Sequence, residues 1–252
     1  MSAHAAFALG VIFFGLWITS LAVHNSSIVD PLWGPAFSIV TTACAFENGG
    51  LTSRQILITA LVALWGARLG GYLFLRNRGH GEDFRYAAMR KTHGDRFWIV
   101  SLFTVFLLQG GLVWIVSLPI QAAFATDRSI GPLDLVATTI SLFGLVFESI
   151  ADLQLSRFRK DPASKGQVFD HGLWSWSRHP NYFGEAVVWW GFAIFGLASG
   201  APWSVIGPII MTVLLLKVSG VALLESTIVE RRPAYAAYIA RTSAFIPRPP
   251  RR

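Results

Sequence analysis

The strongest constraint on this chain is a recurrence of long, predominantly apolar runs, each closed by a short polar or basic stretch. Crossing the hydrocarbon core of a bilayer takes about 20 such residues. Seven segments are candidates: 6–24, 31–46, 55–75, 97–120, 132–155, 183–198 and 203–224, the second and sixth being short. Backbone polar groups inside a bilayer must be satisfied within the protein, and a lone apolar segment achieves this only as a helix. The pattern therefore predicts an all-α integral membrane protein of seven spans. Composition agrees, since a 252-residue chain that is 53% hydrophobic and 14% charged, with mean hydropathy +0.51, lies outside the range of an ordinary soluble domain.

The formal net charge of +7 raises the question of nucleic acid. The basic residues, however, fall between the apolar runs instead of on one soluble face, which excludes that reading and points to topology. Arg76, Arg78, Arg85, Arg90, Lys91 and Arg96 follow the third run, Arg157, Arg159, Lys160, Lys165 and Arg178 follow the fifth, and the tail is rich in arginine. These segments are expected in the cytoplasm, which puts the N-terminus outside, the C-terminus inside, and 47–54, 121–131 and 199–202 as outer loops. Cys44 is the only cysteine, so no internal disulfide can form, and the six histidines show no metal-ligand spacing. The first run lacks a basic leader and a cleavage site and is expected to be a retained helix. No repeat or linker divides the chain, which reads as one membrane-embedded domain.

The polar residues converge on Ser177-Arg178-His179-Pro180-Asn181-Tyr182-Phe183-Gly184-Glu185. Proline suits the first turn of a helix, so a helix is expected to start at Pro180 or Asn181 and to place Asn181 and Glu185 on one face. An interfacial anchor would use arginine, histidine and aromatic residues in this way. The whole run, with a glutamate just inside an apolar span, fits better a site for a large, partly anionic ligand, because ionisable residues at that depth are costly unless used.

Other polar positions follow the same logic. Asp30 stands before Pro31 at the mouth of the second run, either as a helix cap or as a buried acid. Arg68 and Tyr72 share a helix face four residues apart. Glu148, Asp152, Leu155 and Arg159 lie along one face of the fifth run where it leaves the bilayer. Gln109, beside Gly110 and Gly111, reads as a helix-to-helix hydrogen bond. The loop Gly81-Glu82-Asp83-Phe84-Arg85-Tyr86 mixes both charge signs, as a solvated connection or as a flap over a ligand.

Arg178 to Glu185 resembles the C-terminal signature of the steroid 5-alpha-reductase superfamily, in its bacterial membrane branch, and a related Arg-His-Pro-x-Tyr-x-Gly-Glu run occurs in isoprenylcysteine carboxyl methyltransferases. The Asp152-x6-Arg159-Lys160 segment is similar to the reductases' cofactor segment, Val29 to Gly34 and Gly81 to Tyr86 to motifs of the bacterial branch, and Tyr238 with Phe245-Ile246-Pro247 to the family's closing segment. The resemblance implies a seven-helix reductase of the bacterial inner membrane that uses NADPH on a carbon–carbon double bond conjugated to a carbonyl in an apolar substrate reached from the lipid. It implies Asp30 and Tyr72 as catalytic residues, and Asp152, Arg159, Lys160, Arg178, His179, Asn181, Tyr182, Glu185 and Tyr238 as the cofactor side, carried by the half of the chain from about 132. Glu148 and Gln167 depart from the family, which has asparagine and arginine there, and Glu225, Arg231 and Tyr235 are the substitutes for its missing histidines. The alternatives are an S-adenosylmethionine-dependent membrane methyltransferase and a non-catalytic lipid or sterol carrier.

Overall fold

The computed structural model describes residues 1–48, 51–218, 220–225 and 228–250, and no strand occurs among them. Residues 49–50 of the first expected outer loop, Arg251 and Arg252 of the basic tail, and the side chain of Arg231 lie outside this description. The elements are α1 (Ala3–Ala22), a 3-10 turn (Ser26–Leu32), α2 (Trp33–Asn48), α3 (Ser53–Asn77), α4 (Phe84–His93) and α5 (Phe97–Ser101). A π-helical stretch (Leu102–Leu107) leads into α6 (Leu108–Val116) and α7 (Leu118–Phe124), followed by α8 (Pro132–Lys160) and α9 (Pro180–Ala198). The chain closes with α10 (Ile206–Val213), a second π-helical stretch (Leu214–Val218), α11 (Val221–Glu225), α12 (Ile228–Arg231) and α13 (Tyr235–Arg241).

Among the described residues six helical segments are long and apolar enough to cross a bilayer: Ala3–Ala22, Ser26–Asn48, Ser53–Asn77, Phe84–Val116, Pro132–Lys160 and Pro202–Glu230. The protein is thus a multi-pass integral membrane protein. The remaining expected span, 183–198, falls within the 19-residue α9, whose first turns spend their positions on Pro180, Asn181 and Glu185.

The chain divides into two compact units, Met1–Asp134 with Phe195–Ile206, and Leu135–Ile194 with Gly207–Arg252. In the first, α2 and α3 touch backbone to backbone: a Cβ on Gly34 or on Gly66 would stand 2.6 Å from the other's carbonyl oxygen. Only glycine allows that approach, which is how helices gain packing where lipid offers no hydrophobic drive. Phe37 meets Trp65 edge-on beside this contact, with ring centroids 5.5 Å apart. The start of α3 is fixed by a reciprocal Thr52–Gln55 cap, and one residue into the helix Arg54 is buried against Asp134 at 2.7 Å. The Arg54 guanidinium also donates to Ser199 Oγ and the Ser129 carbonyl, both at 3.3 Å.

In the second unit α8 and α9 cross in the same way. A Cβ on Gly144 would meet the Gly184 carbonyl oxygen at 2.7 Å, and one on Gly184 would meet the Glu148 backbone nitrogen at 2.7 Å. The glycine of the 177–185 motif is therefore a contact point between helices, and it sets the depth at which its neighbours Asn181 and Glu185 stand against α8.

Candidate functional site

The polar residues of the first unit gather around Asp30. As expected for a buried acid, Asp30 is 9% exposed, and it sits inside the 3-10 turn instead of capping α2. The Tyr86 hydroxyl donates to Asp30 Oδ1 at 2.7 Å, and Arg85 Nη2 donates to Oδ2 at 3.0 Å. Gln109 Nε2 donates to the Tyr86 oxygen at 3.3 Å, so the expected helix-to-helix hydrogen bond ends on this phenol. Tyr86 closes the 81–86 motif, but nothing local gives it a role, because its partner lies 56 residues earlier in the chain.

Tyr72 has a different setting. Gly70 faces Pro31, whose carbonyl oxygen would stand 2.7 Å from an added Cβ. Tyr72, two residues on, is turned about 200° from that contact at 3.6 residues per turn. It is half-buried, with the Arg68 guanidinium 5.9 Å from its ring centroid.

The loop before α4 is pinned to the 3-10 turn. Ser26 N–H donates to Glu82 Oε1 at 2.8 Å, Asp83 N–H donates to Ser27 Oγ at 2.7 Å, and Arg90 grips both oxygens of Glu82 at 2.8 and 2.9 Å. Burial pushes the Glu82 carboxyl up, but Arg90 and the Ser26 N–H outweigh it, leaving the group below the usual carboxylate range. Asp83 behaves likewise, burial being outweighed by its Arg85 hydrogen bonds. A depressed carboxylate contributes stability that is present above its unfolded value and is lost as pH falls through its folded one. Thermal midpoints in detergent should therefore drop as pH is lowered from about 5 to below about 4, and Glu82→Gln should flatten that drop. An unchanged slope in the variant would remove Glu82 from the account.

The second unit assembles the 177–185 motif. The expected helix start is found at Pro180. Asn181 Nδ2 donates to Asp152 Oδ1 at 3.1 Å, which joins the two cofactor candidates from α9 and α8, and both Asp152 and Glu185 are buried. Arg159 and Lys160 are exposed in the last turn of α8. Tyr182 stacks on His179 with ring centroids 5.5 Å apart and planes 3° from parallel.

Arg178 is committed to the protein itself. Its Nε and Nη2 form a fork on Glu225 at 2.7 and 2.8 Å, and its Nη1 donates to the carbonyls of Ile239 and Thr242 at 3.3 and 2.5 Å. His179 Nε2 lies 2.9 Å from the same carboxylate. A strap of hydrogen bonds, two of them between main-chain groups, ties the motif to the tail: Arg178 N–H to Ser243 O, Ser177 Oγ to Phe245 O, and Arg248 N–H to Trp176 O, at 2.8, 2.8 and 2.9 Å. The Tyr238 hydroxyl donates to the Trp174 carbonyl, and burial raises its phenol well above the ordinary range. Burial also pushes the Tyr235 phenol, up to about 12. Both stay protonated donors at working pH. Glu225, named from sequence only as a substitute for missing histidines, is the partner that closes this cluster.

A Schizosaccharomyces pombe protein described as uncharacterised is 29% identical over 269 aligned positions, covering 92% of this chain and 76% of that protein. No solved structure matches the chain. The model for the family described as "Protein of unknown function (DUF1295)" matches residues 16–242, and the chain therefore belongs to that family, the steroid 5-alpha-reductase-like membrane proteins.

Proposed function

We propose that the protein is an NADPH-dependent reductase of a carbon–carbon double bond conjugated to a carbonyl in an apolar substrate, steroid-like, isoprenoid or lipid. Family membership points to the reaction class, and the observation that carries the reading is the buried carboxyl–phenol pair, with Tyr86 O 2.7 Å from Asp30 Oδ1. When bound, NADPH would be the hydride source for the carbon β to the carbonyl. Negative charge then builds on the carbonyl oxygen, so a hydrogen-bond donor held there lowers the barrier. Tyr86 is the donor in this reading, its oxygen held by Gln109. With Asp30 protonated the hydrogen bond between them runs from the acid to the phenol, so Asp30 gives its proton to Tyr86 as Tyr86 gives its own to the substrate oxygen, and the carboxylate left behind faces Arg85. Tyr86 takes this role because its hydroxyl meets the buried acid at 2.7 Å.

The residues of the second unit fit the cofactor. Asn181 Oδ1 is buried with no hydrogen-bond partner among the described residues, an acceptor suited to an amide N–H. Arg159 and Lys160 offer exposed charge and donors to phosphate oxygens. Asp152 orients Asn181, and Tyr182 and Glu185 remain on the cofactor side. Arg178, His179 and Tyr238 act by holding the strap that positions them. The proposal keeps seven spans by counting α9, with the N-terminus outside and the C-terminus inside a bacterial inner membrane, where NADPH meets the Arg159 end.

Titrating the full-length protein in detergent with NADPH and, in parallel, with S-adenosylmethionine tests the reading through thermal stabilisation. NADPH should stabilise it, and Arg159→Ala should weaken NADPH affinity by about tenfold to a hundredfold, or about 1.5–3 kcal/mol for a charge-assisted contact. Stabilisation by S-adenosylmethionine alone would replace the reductase by a methyltransferase, and stabilisation by neither would leave a lipid or sterol carrier.

A further inference from the structure

An open groove of about 690 Å³ runs between α1 and α2 on the first unit, with Ala8, Ser38, Thr42, Ala43 and Phe46 among its walls and His4 and Glu47 at one end. Ser38, Thr42 and Phe46 are spaced four residues apart on α2, so the trough is about 12 Å long at 1.5 Å per residue. Its floor is apolar to an occupant: Thr42 Oγ1 turns back onto the Ser38 carbonyl at 2.9 Å, while Ala8 and Ala43 leave room for a chain to lie. Its polar end is where α1 begins and α2 finishes, the level of the membrane–water boundary.

Glu47 supplies a charge there. Its Oε1 accepts from Ser2 Oγ at 2.7 Å and from the His4 N–H at 3.4 Å, and lies 2.7 Å from His4 Nδ1. All three contacts fall on one carboxylate oxygen. Among the described residues Oε2 makes no hydrogen bond and the only ion-pair partner is His4, which is 79% exposed and charged only when protonated. An apolar trough that ends on a carboxylate with acceptor capacity to spare complements a membrane amphiphile whose head is a cation bearing N–H donors.

We propose that this groove binds a phospholipid with a primary-ammonium headgroup, an acyl chain lying along Ser38, Thr42 and Phe46 and the ammonium on Glu47. A quaternary ammonium has the same charge but no N–H to donate, so the site discriminates ethanolamine from choline lipids.

Native mass spectrometry of the full-length protein with phosphatidylethanolamine and phosphatidylcholine of identical acyl chains tests this. The parent should retain the ethanolamine lipid about tenfold more strongly, the size of one charge-assisted hydrogen bond at a half-exposed site. Glu47→Gln should bind both lipids equally, and Ala43→Trp, which fills the trough, should lose both while melting as the parent does. Ile39→Trp is the second filling variant should Ala43→Trp fail to fold. Equal retention of the two lipids by the parent, or undiminished binding with the trough filled, overturns the proposal. So does a dimer of the parent that dissociates in the filled variant, since a second copy would then be the occupant.

Discussion

Tyr86→Phe should lower turnover of an apolar enone by about 10²–10⁴-fold, the usual contribution of a positioned proton donor, while leaving NADPH affinity close to that of the parent. The variant removes one oxygen and keeps the ring, so its packing against the Arg85 guanidinium, 5.2 Å from the ring centroid, survives. What disappears is the hydroxyl that connects Asp30 with Gln109. Asp30→Asn should show the same pattern, because an amide can hold the phenol in place but cannot resupply its proton. A mutation that removes only a transition-state interaction lowers kcat and kcat/KM together. If Tyr86→Phe turned over at the parent rate, or lost NADPH affinity in step with its rate, the proton-donor assignment would fall, and Tyr72→Phe would be the next variant to measure.

The second large effect concerns stability. Arg54→Ala should cost about 3–5 kcal/mol, because it removes the buried guanidinium that neutralises the Asp134 carboxylate, and the Gly131 N–H that donates to the same carboxylate at 2.8 Å carries no charge to replace it. In a chain of this length that corresponds to a fall of roughly 10 °C in the thermal midpoint in detergent. The side chains of Arg54 and Asp134 are 4% and 0% exposed, so neither has water to fall back on. Replacing both residues together by methionine and leucine should recover much of the loss, since apolar residues of similar volume often substitute for a buried pair at little cost. A melt of Arg54→Ala within about 2 °C of the parent would mean that the pair is solvated in the membrane-bound protein.

Arg54 also shows what sequence patterning leaves out. By position it was a charge in an expected outer loop, yet it is neutralised by Asp134, 80 residues away, and no local rule connects the two. The same holds for Tyr86 with Asp30 and for Arg178 with Glu225. Features carried by neighbours in the chain were readable: the apolar lengths of the spans, the helix start that Pro180 permits, and the shared face of Asn181 and Glu185. The union of Asn181 with Asp152 was half readable, since each was a cofactor candidate but the glycine contact that brings α8 against α9 is a property of two helices. The loop before α4 left two readings open, a solvated connection or a flap. In the fold it does neither alone, because the Glu82 carboxylate is spent on Ser26 and Arg90, the Asp83 carboxylate on Arg85, and the Asp83 N–H on Ser27.

The strap between 176–178 and 243–248 bears on the order of events during synthesis. The buried guanidinium of Arg178 reaches the membrane well before the chain that supplies its carboxylate and its carbonyl acceptors has been made. Until Glu225, Ile239 and Thr242 arrive, that charge has to be held by water or lipid phosphate, since an unpaired arginine is costly in hydrocarbon. The signature is therefore completed only once residues 225–248 have been made. A chain ending short of Ile239 would keep every residue of the motif and still lack the surroundings that give it its shape.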